Sequence, residues 1–125
     1  MKKLFGIFIV LSLFTVIISA CSATGNTTTG PNPVHMDSMS FKVLSITIKK
    51  GQVVTFINDE VTPHTVVNGT WDDSTQKPGV ESGAPKTNIQ VDGYGSGTVG
   101  PFNTAGTFKL FCTLHPGMKM TVVVK

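Results

Sequence analysis

The sequence predicts an all-β domain over residues 34–125, an antiparallel β-sandwich or barrel of seven or eight short strands. Three observations predict it. Apolar and β-branched residues come in short runs separated by turn residues. No stretch beyond the first twenty residues keeps a helical period. Ile46, Ile48, Val54, Phe56, Val66, Phe108, Leu110 and Val122 alternate along the runs as inward-facing positions, enough for a core without disulfides.

The first run, 43–48, is β-branched and apolar, and Lys49-Lys50-Gly51 turns the chain after it. A second run, 52–57, closes at Asn58-Asp59-Glu60, and a third, 64–68, closes at Gly69. Residues 70–87 are polar, contain Pro78 and Pro85, and read as a long loop that carries Trp71 as a partial cover of the core. Residues 88–91 form a short strand. Gly93, Gly95, Gly97 and Gly100 then mark a connecting loop, which lacks the Gly-Lys-Ser/Thr ending of a phosphate-binding loop. Runs 107–112 and 119–124 are the last two strands.

The chain begins differently. Lys2-Lys3, an apolar run over 4–18 and Ser19-Ala20-Cys21 are ordered as a signal peptide over residues 1–20. The apolar run is shorter than the ~20 residues a membrane helix needs. Ile18-Ser19-Ala20-Cys21 resembles a bacterial lipobox, which implies that Cys21 is lipidated and becomes the new N-terminus. Residues 22–33 are small, polar and uncharged, the composition of a flexible tether that would hold the domain about 20 Å from a membrane. The expected product is exported and anchored to the extracytoplasmic face of a membrane. Ten lysines, including Lys2 and Lys3, stand against seven acidic residues, and there is no arginine. The domain is therefore close to neutral, which argues against a nucleic-acid partner.

The chain has two cysteines. With Cys21 committed to lipid, Cys112 has no disulfide partner, and a lone thiol in an oxidising compartment must be buried or occupied. It opens the segment Cys112-Thr113-Leu114-His115-Pro116-Gly117-Met118, where a thiolate, an imidazole and a thioether fall within seven residues. Pro116-Gly117 makes a tight bend that can fold His115 and Met118 back towards Cys112. A second imidazole, His64, follows Pro63 at the start of the third run, so it too sits at a strand end. Two histidines, a cysteine and a weak axial methionine are the ligand set of mononuclear electron-transfer copper sites, and soft sulfur donors favour copper over hard cations. One copper ion cycling between Cu(I) and Cu(II) is the expected cofactor.

Cys112-x-x-His115-x-x-Met118 with the upstream Pro63-His64 resembles the cupredoxins, in particular their plastocyanin and amicyanin branch. The resemblance spans residues 34–125. It implies a Greek-key β-sandwich, copper ligation by His64, Cys112, His115 and Met118, and electron exit through the exposed edge of His115, with redox proteins as donors and acceptors and the chain as a monomer. Pro63, Pro116, Gly117 and Leu114 would supply the surrounding apolar patch. Two positions depart from the family pattern. Met120 stands where glycine is common and places a second thioether close to Met118. Thr65 stands where asparagine is common, and its hydroxyl can take over hydrogen bonding to the cysteine loop.

A copper delivery or sequestration protein is the competing expectation, for which His35, Met36, Met39 and Met120 would be the extra soft ligands. An enzyme is not expected, because three histidines without a His-x-His pair do not furnish a catalytic copper centre. Zinc is disfavoured by the methionine.

Overall fold

A computed structural model of the chain describes residues 29–125. The signal segment, Cys21 and residues 22–28 of the expected tether lie outside the described residues. The strands are β1 (Pro33–Met36), β2 (Ser45–Ile48), β3 (Gln52–Asn58), β4 (His64–Asp72), β5 (Thr75–Pro78), β6 (Asn88–Val91), β7 (Ser96–Phe102), β8 (Gly106–Phe111) and β9 (Lys119–Val124). They form two sheets. One has the order β1-β3-β7 and the other β2-β9-β8-β4-β5, with β6 also paired to β4. No helix is present among the described residues.

The period-two alternation explains how the sheets close on each other. Val54 and Phe56 on β3, Val66 on β4, Phe108 and Leu110 on β8, and Met120, Val122 and Val124 on β9 all turn inward. They meet in one core with Val34, Met36, Val99 and Phe102. Of the expected inward positions only Ile46 is partly exposed, and it packs on the same core. Phe56 and Leu110 are fully buried. Truncating such a side chain typically costs about 3–5 kcal/mol for Phe and 2–5 kcal/mol for Leu.

Four features differ from the sequence expectation. The strands number nine among the described residues, two of their pairings are parallel (β1 with β3, β2 with β9), and alternation carries no information on strand direction. Residues 33–36 form a strand on β3, with Val34 and Met36 buried. Fixed contacts start earlier still. The Pro31 carbonyl accepts from the Thr55 N–H and hydroxyl, and Asn32 Nδ2 donates to the Val53 carbonyl. The stretch 93–100 is a strand in its second half, because β7 pairs with β3. Gly97 is small there for a packing reason: a Cβ would come within 2.8 Å of Ile89 Cδ1.

The fourth difference is that Gly69 does not end β4. The strand continues to Asp72 and turns back as β5, so residues 70–78 form a hairpin instead of a loop. Gly69 permits this. Its φ is +126°, and a Cβ would strike the Lys77 carbonyl and lie 2.8 Å from Pro78 Cα. Trp71 thereby becomes a buried strand residue.

The topology brings distant residues to one pole. β4 starts at His64 and β8 ends at Phe111, and the two strands are neighbours with Val67 opposite Phe111. His64 and Cys112 are therefore carried to the same end of the sandwich. Because Gly69→Ala combines a disfavoured φ with a backbone collision, we expect a loss of about 2–3 kcal/mol in denaturant unfolding, far above a surface substitution. An unchanged midpoint would show that the hairpin is not tightly held.

Candidate metal centre

Each donor is placed by its local backbone. His64 is the first residue of β4 and has no solvent exposure. Cys112, also without exposure, follows the last residue of β8. The loop to β9 is folded back on itself: the Cys112 N–H donates to the Met118 carbonyl (2.9 Å) and the Met118 N–H to the His115 carbonyl (3.1 Å). Gly117, at φ +81°, supplies the left-handed residue of this bend. His115 and Met118 are thereby returned towards Cys112.

The result is a cluster of three donors. Cys112 Sγ lies 3.8 Å from His64 Nδ1 and 3.5 Å from His115 Nδ1, and the three atoms fall within 4.8 Å of one another. The two imidazole centroids are 4.8 Å apart. Three donors around one first-row ion, at about 2.0 Å for nitrogen and 2.3 Å for sulfur, stand roughly 3.5–3.7 Å apart in a trigonal arrangement. The two sulfur–nitrogen spacings match that size. Among the described residues it is the one group of this kind.

Around the sulfur the donors are also specific. The Thr65 N–H points at Cys112 Sγ at 3.4 Å and the Thr65 hydroxyl lies at 3.7 Å. The same hydroxyl oxygen accepts from the Thr113 N–H (2.8 Å) and lies 2.8 Å from the Thr113 hydroxyl. If Thr113 donates both of these, the Thr65 proton is free to point at sulfur, and every valence of that oxygen is used. The Cys112 carbonyl accepts from Trp71 Nε1 at 2.8 Å. Gln76 Nε2 donates to the Thr113 carbonyl, and Lys119 Nζ to the Trp71 carbonyl. Sequence reasoning singled out Thr65 but missed Trp71, Gln76 and Thr113. Their role follows from the β4–β5 hairpin, which the Gly69 signal concealed.

His64 is suited to act as a neutral ligand. Burial lowers its pKa below the ordinary histidine value, and the His115 imidazole pushes the same way, while the Asp37 backbone and carboxylate oppose. The geometry leaves Nε2 buried with no hydrogen-bond partner, so the Asp37 backbone is only a partial offset. Nδ1 is then the nitrogen turned to the sulfur, and metal binding requires the unprotonated ring.

Met118 is buried beside Cys112 in the core cluster. Met120 is buried too, but it sits on β9 opposite Leu110, one rung inside the sheet. The other soft residues do not gather. His35 Nδ1 is bound to the Asp59 carboxylate at 2.9 Å, Met36 is sealed in the core, and Met39 is 61% exposed.

The chain matches a family model described as copper binding proteins of the plastocyanin/azurin family over residues 29–125. It is 32% identical to a plastocyanin of Scenedesmus fuscus over 90 residues, covering 70% of this chain and 89% of that protein. It is 32% identical to amicyanin-alpha of Methylorubrum extorquens over 106 residues, covering 85% and 82%. The crystal structure of amicyanin from Paracoccus versutus superposes with a TM-score of 0.58 at 26% identity, over 75% of this chain and 80% of that one. With a strand-built sandwich, a convergent pair of imidazoles and a buried thiol at one pole, this chain belongs to the plastocyanin/azurin family of copper-binding proteins.

Proposed function

We propose that the protein is a membrane-tethered, monomeric one-electron carrier, with its copper ion held by His64, Cys112 and His115 and by Met118 as the weak axial ligand. The observation that carries this reading is the convergence of one sulfur and two imidazole nitrogens in a buried pocket that only His115 links to the surface. Bound copper would supply a one-electron couple between Cu(I) and Cu(II). The protein's part is to hold four donors in one arrangement, so that little has to move when the charge changes. Lipidation of Cys21 after removal of residues 1–20 would attach the domain to the extracytoplasmic face of a membrane.

His115 is half-buried, between the exposed Leu114 and Pro116, and Pro63 is exposed beside His64. A redox partner would approach through this apolar rim, by shape and contact more than by strong electrostatic steering. Met118 is favoured over Met120 because its backbone closes the loop onto Cys112, whereas Met120 packs a rung deeper in the sheet. Copper delivery or sequestration gains no support, since His35, Met36 and Met39 are separated into an ion pair, the core and the solvent. Catalysis is not proposed: two histidines are used at one ion and the third is on Asp59, which leaves none for a second metal.

Two outcomes are expected. The Cu(II) protein should show intense visible sulfur-to-copper charge-transfer absorption, and Cys112→Ser should abolish it while the far-ultraviolet circular dichroism stays the same. Identical spectra for the two would remove the thiolate from the site. Equilibrium redox titration should separate the neighbours. Hydrogen bonds to the sulfur favour the more electron-rich reduced state. Thr65→Val should therefore lower the potential by a few tens of mV, about 59 mV corresponding to tenfold in the equilibrium, and Thr65→Ser should restore it. Met118→Leu should shift the potential and Met120→Leu should not; the reverse order would make Met120 the axial ligand.

A further inference from the structure

The two ends of the sandwich differ in how their charges are matched: at the metal pole Lys42 pairs with Asp59 and Lys119 stands opposite Phe111, whereas the lysines of the other end have no carboxylate partner among the described residues. At the metal pole, beyond the end of β3, lie Asp37, Asp59, Glu60 and Asp92. Asp59 N–H donates to the Met36 carbonyl, Tyr94 N–H to the Glu60 carbonyl, and Asn58 Nδ2 bridges the Thr62 and Asp92 carbonyls. At the opposite pole, the β2–β3 turn meets the end of β9. The Lys50 N–H donates to the Lys125 carbonyl (3.1 Å), the Lys125 N–H to the Ile48 carbonyl (3.0 Å), and the Gly51 N–H to the Phe102 carbonyl (2.7 Å). Lys49, Lys50 and Lys125 are all exposed there. No carboxylate side chain pairs with them: both ion pairs among the described residues belong to Asp59 at the other end. The neighbouring turn, Asn103-Thr104-Ala105-Gly106, is uncharged. Glu81, the nearest acid by these contacts, reaches the Lys109 N–H, farther up β8.

The chain joins the domain midway along β3. Pro31 and Asn32 are pinned to Thr55 and Val53, and β1 runs from there parallel to β3 towards the metal end.

We propose that Lys49, Lys50 and Lys125 form a docking surface for anionic lipid headgroups, which holds the domain upright with the metal pole directed away from the membrane. The proposal rests on the reading of Cys21 as a lipid anchor. A lysine near an anionic bilayer strengthens partitioning roughly fivefold, and the effect decays within a Debye length, so the contact is salt-sensitive. Tethering raises the local lipid concentration enough for three lysines to matter. Electron exchange would then take place with partners that meet the far pole, where His115 reaches the surface.

The test uses the full acylated protein in vesicles of phosphatidylcholine alone or of phosphatidylcholine with phosphatidylglycerol. Lysines are labelled with an amine-acylating reagent and located by mass spectrometry. On the anionic vesicles, labelling of Lys49, Lys50 and Lys125 should fall at least ~threefold, as expected from lysines held at the surface, and return at high salt. Lys42 and Lys77 should not change. Equal labelling on both vesicles, or protection centred on Lys42, overturns the proposal while leaving the anchor intact. The mass of the N-terminal peptide reports the anchor separately: a free Cys21 thiol overturns that reading.

Discussion

Hydrogen bonds fix Cys112 at each of its polar atoms. Its N–H is held by the Met118 carbonyl, its carbonyl by the Trp71 indole, and its sulfur faces the Thr65 N–H. These bonds come from the loop that follows, from the far half of β4 and from the near half of β4. The backbone that carries the sulfur is thus held by strand pairing and by the closed loop. The two imidazoles take their places relative to it, one by opening β4 and the other by the closed turn at Gly117. A donor set fixed in this way suits an ion that must change charge without changing its surroundings.

The polar groups buried around this pole are paid for in hydrogen bonds. Asn58 spans two loops through Nδ2, and Asn68 accepts from the Thr87 N–H while donating to the Pro85 carbonyl, which stitches the 79–87 segment onto β4. His64 Nε2 is the exception among the described residues. A buried ring nitrogen without a good hydrogen bond is costly, and here the opposite nitrogen of the ring faces Cys112 Sγ at 3.8 Å.

Much of the arrangement was legible in the sequence, because the signals were of the kind that survive folding. Alternation marked β3, β8 and β9 almost to their ends, since each has one face on the core. The spacing from Cys112 to Met118 was readable because seven residues between two strands can close only as a tight turn. His64 was harder, and its neighbourhood with Cys112 is a product of β4 and β8 pairing. What was not legible had identifiable causes. Four-residue β1 and β5 are too short to show a period. Gly69 and the glycines before β7 carry the usual mark of a break, yet here glycine permits close backbone approach. Trp71 was misplaced for the same reason, and with it the link between the β4–β5 hairpin and the cysteine.

The central claim is that the protein imposes one ligand arrangement on copper in both oxidation states. Copper K-edge X-ray absorption on the Cu(II) and Cu(I) forms measures this directly. The account predicts one short copper–sulfur and two copper–nitrogen distances that are nearly the same in the two spectra. Loss of the sulfur or of a nitrogen neighbour, or a large change of distances on reduction, would contradict it.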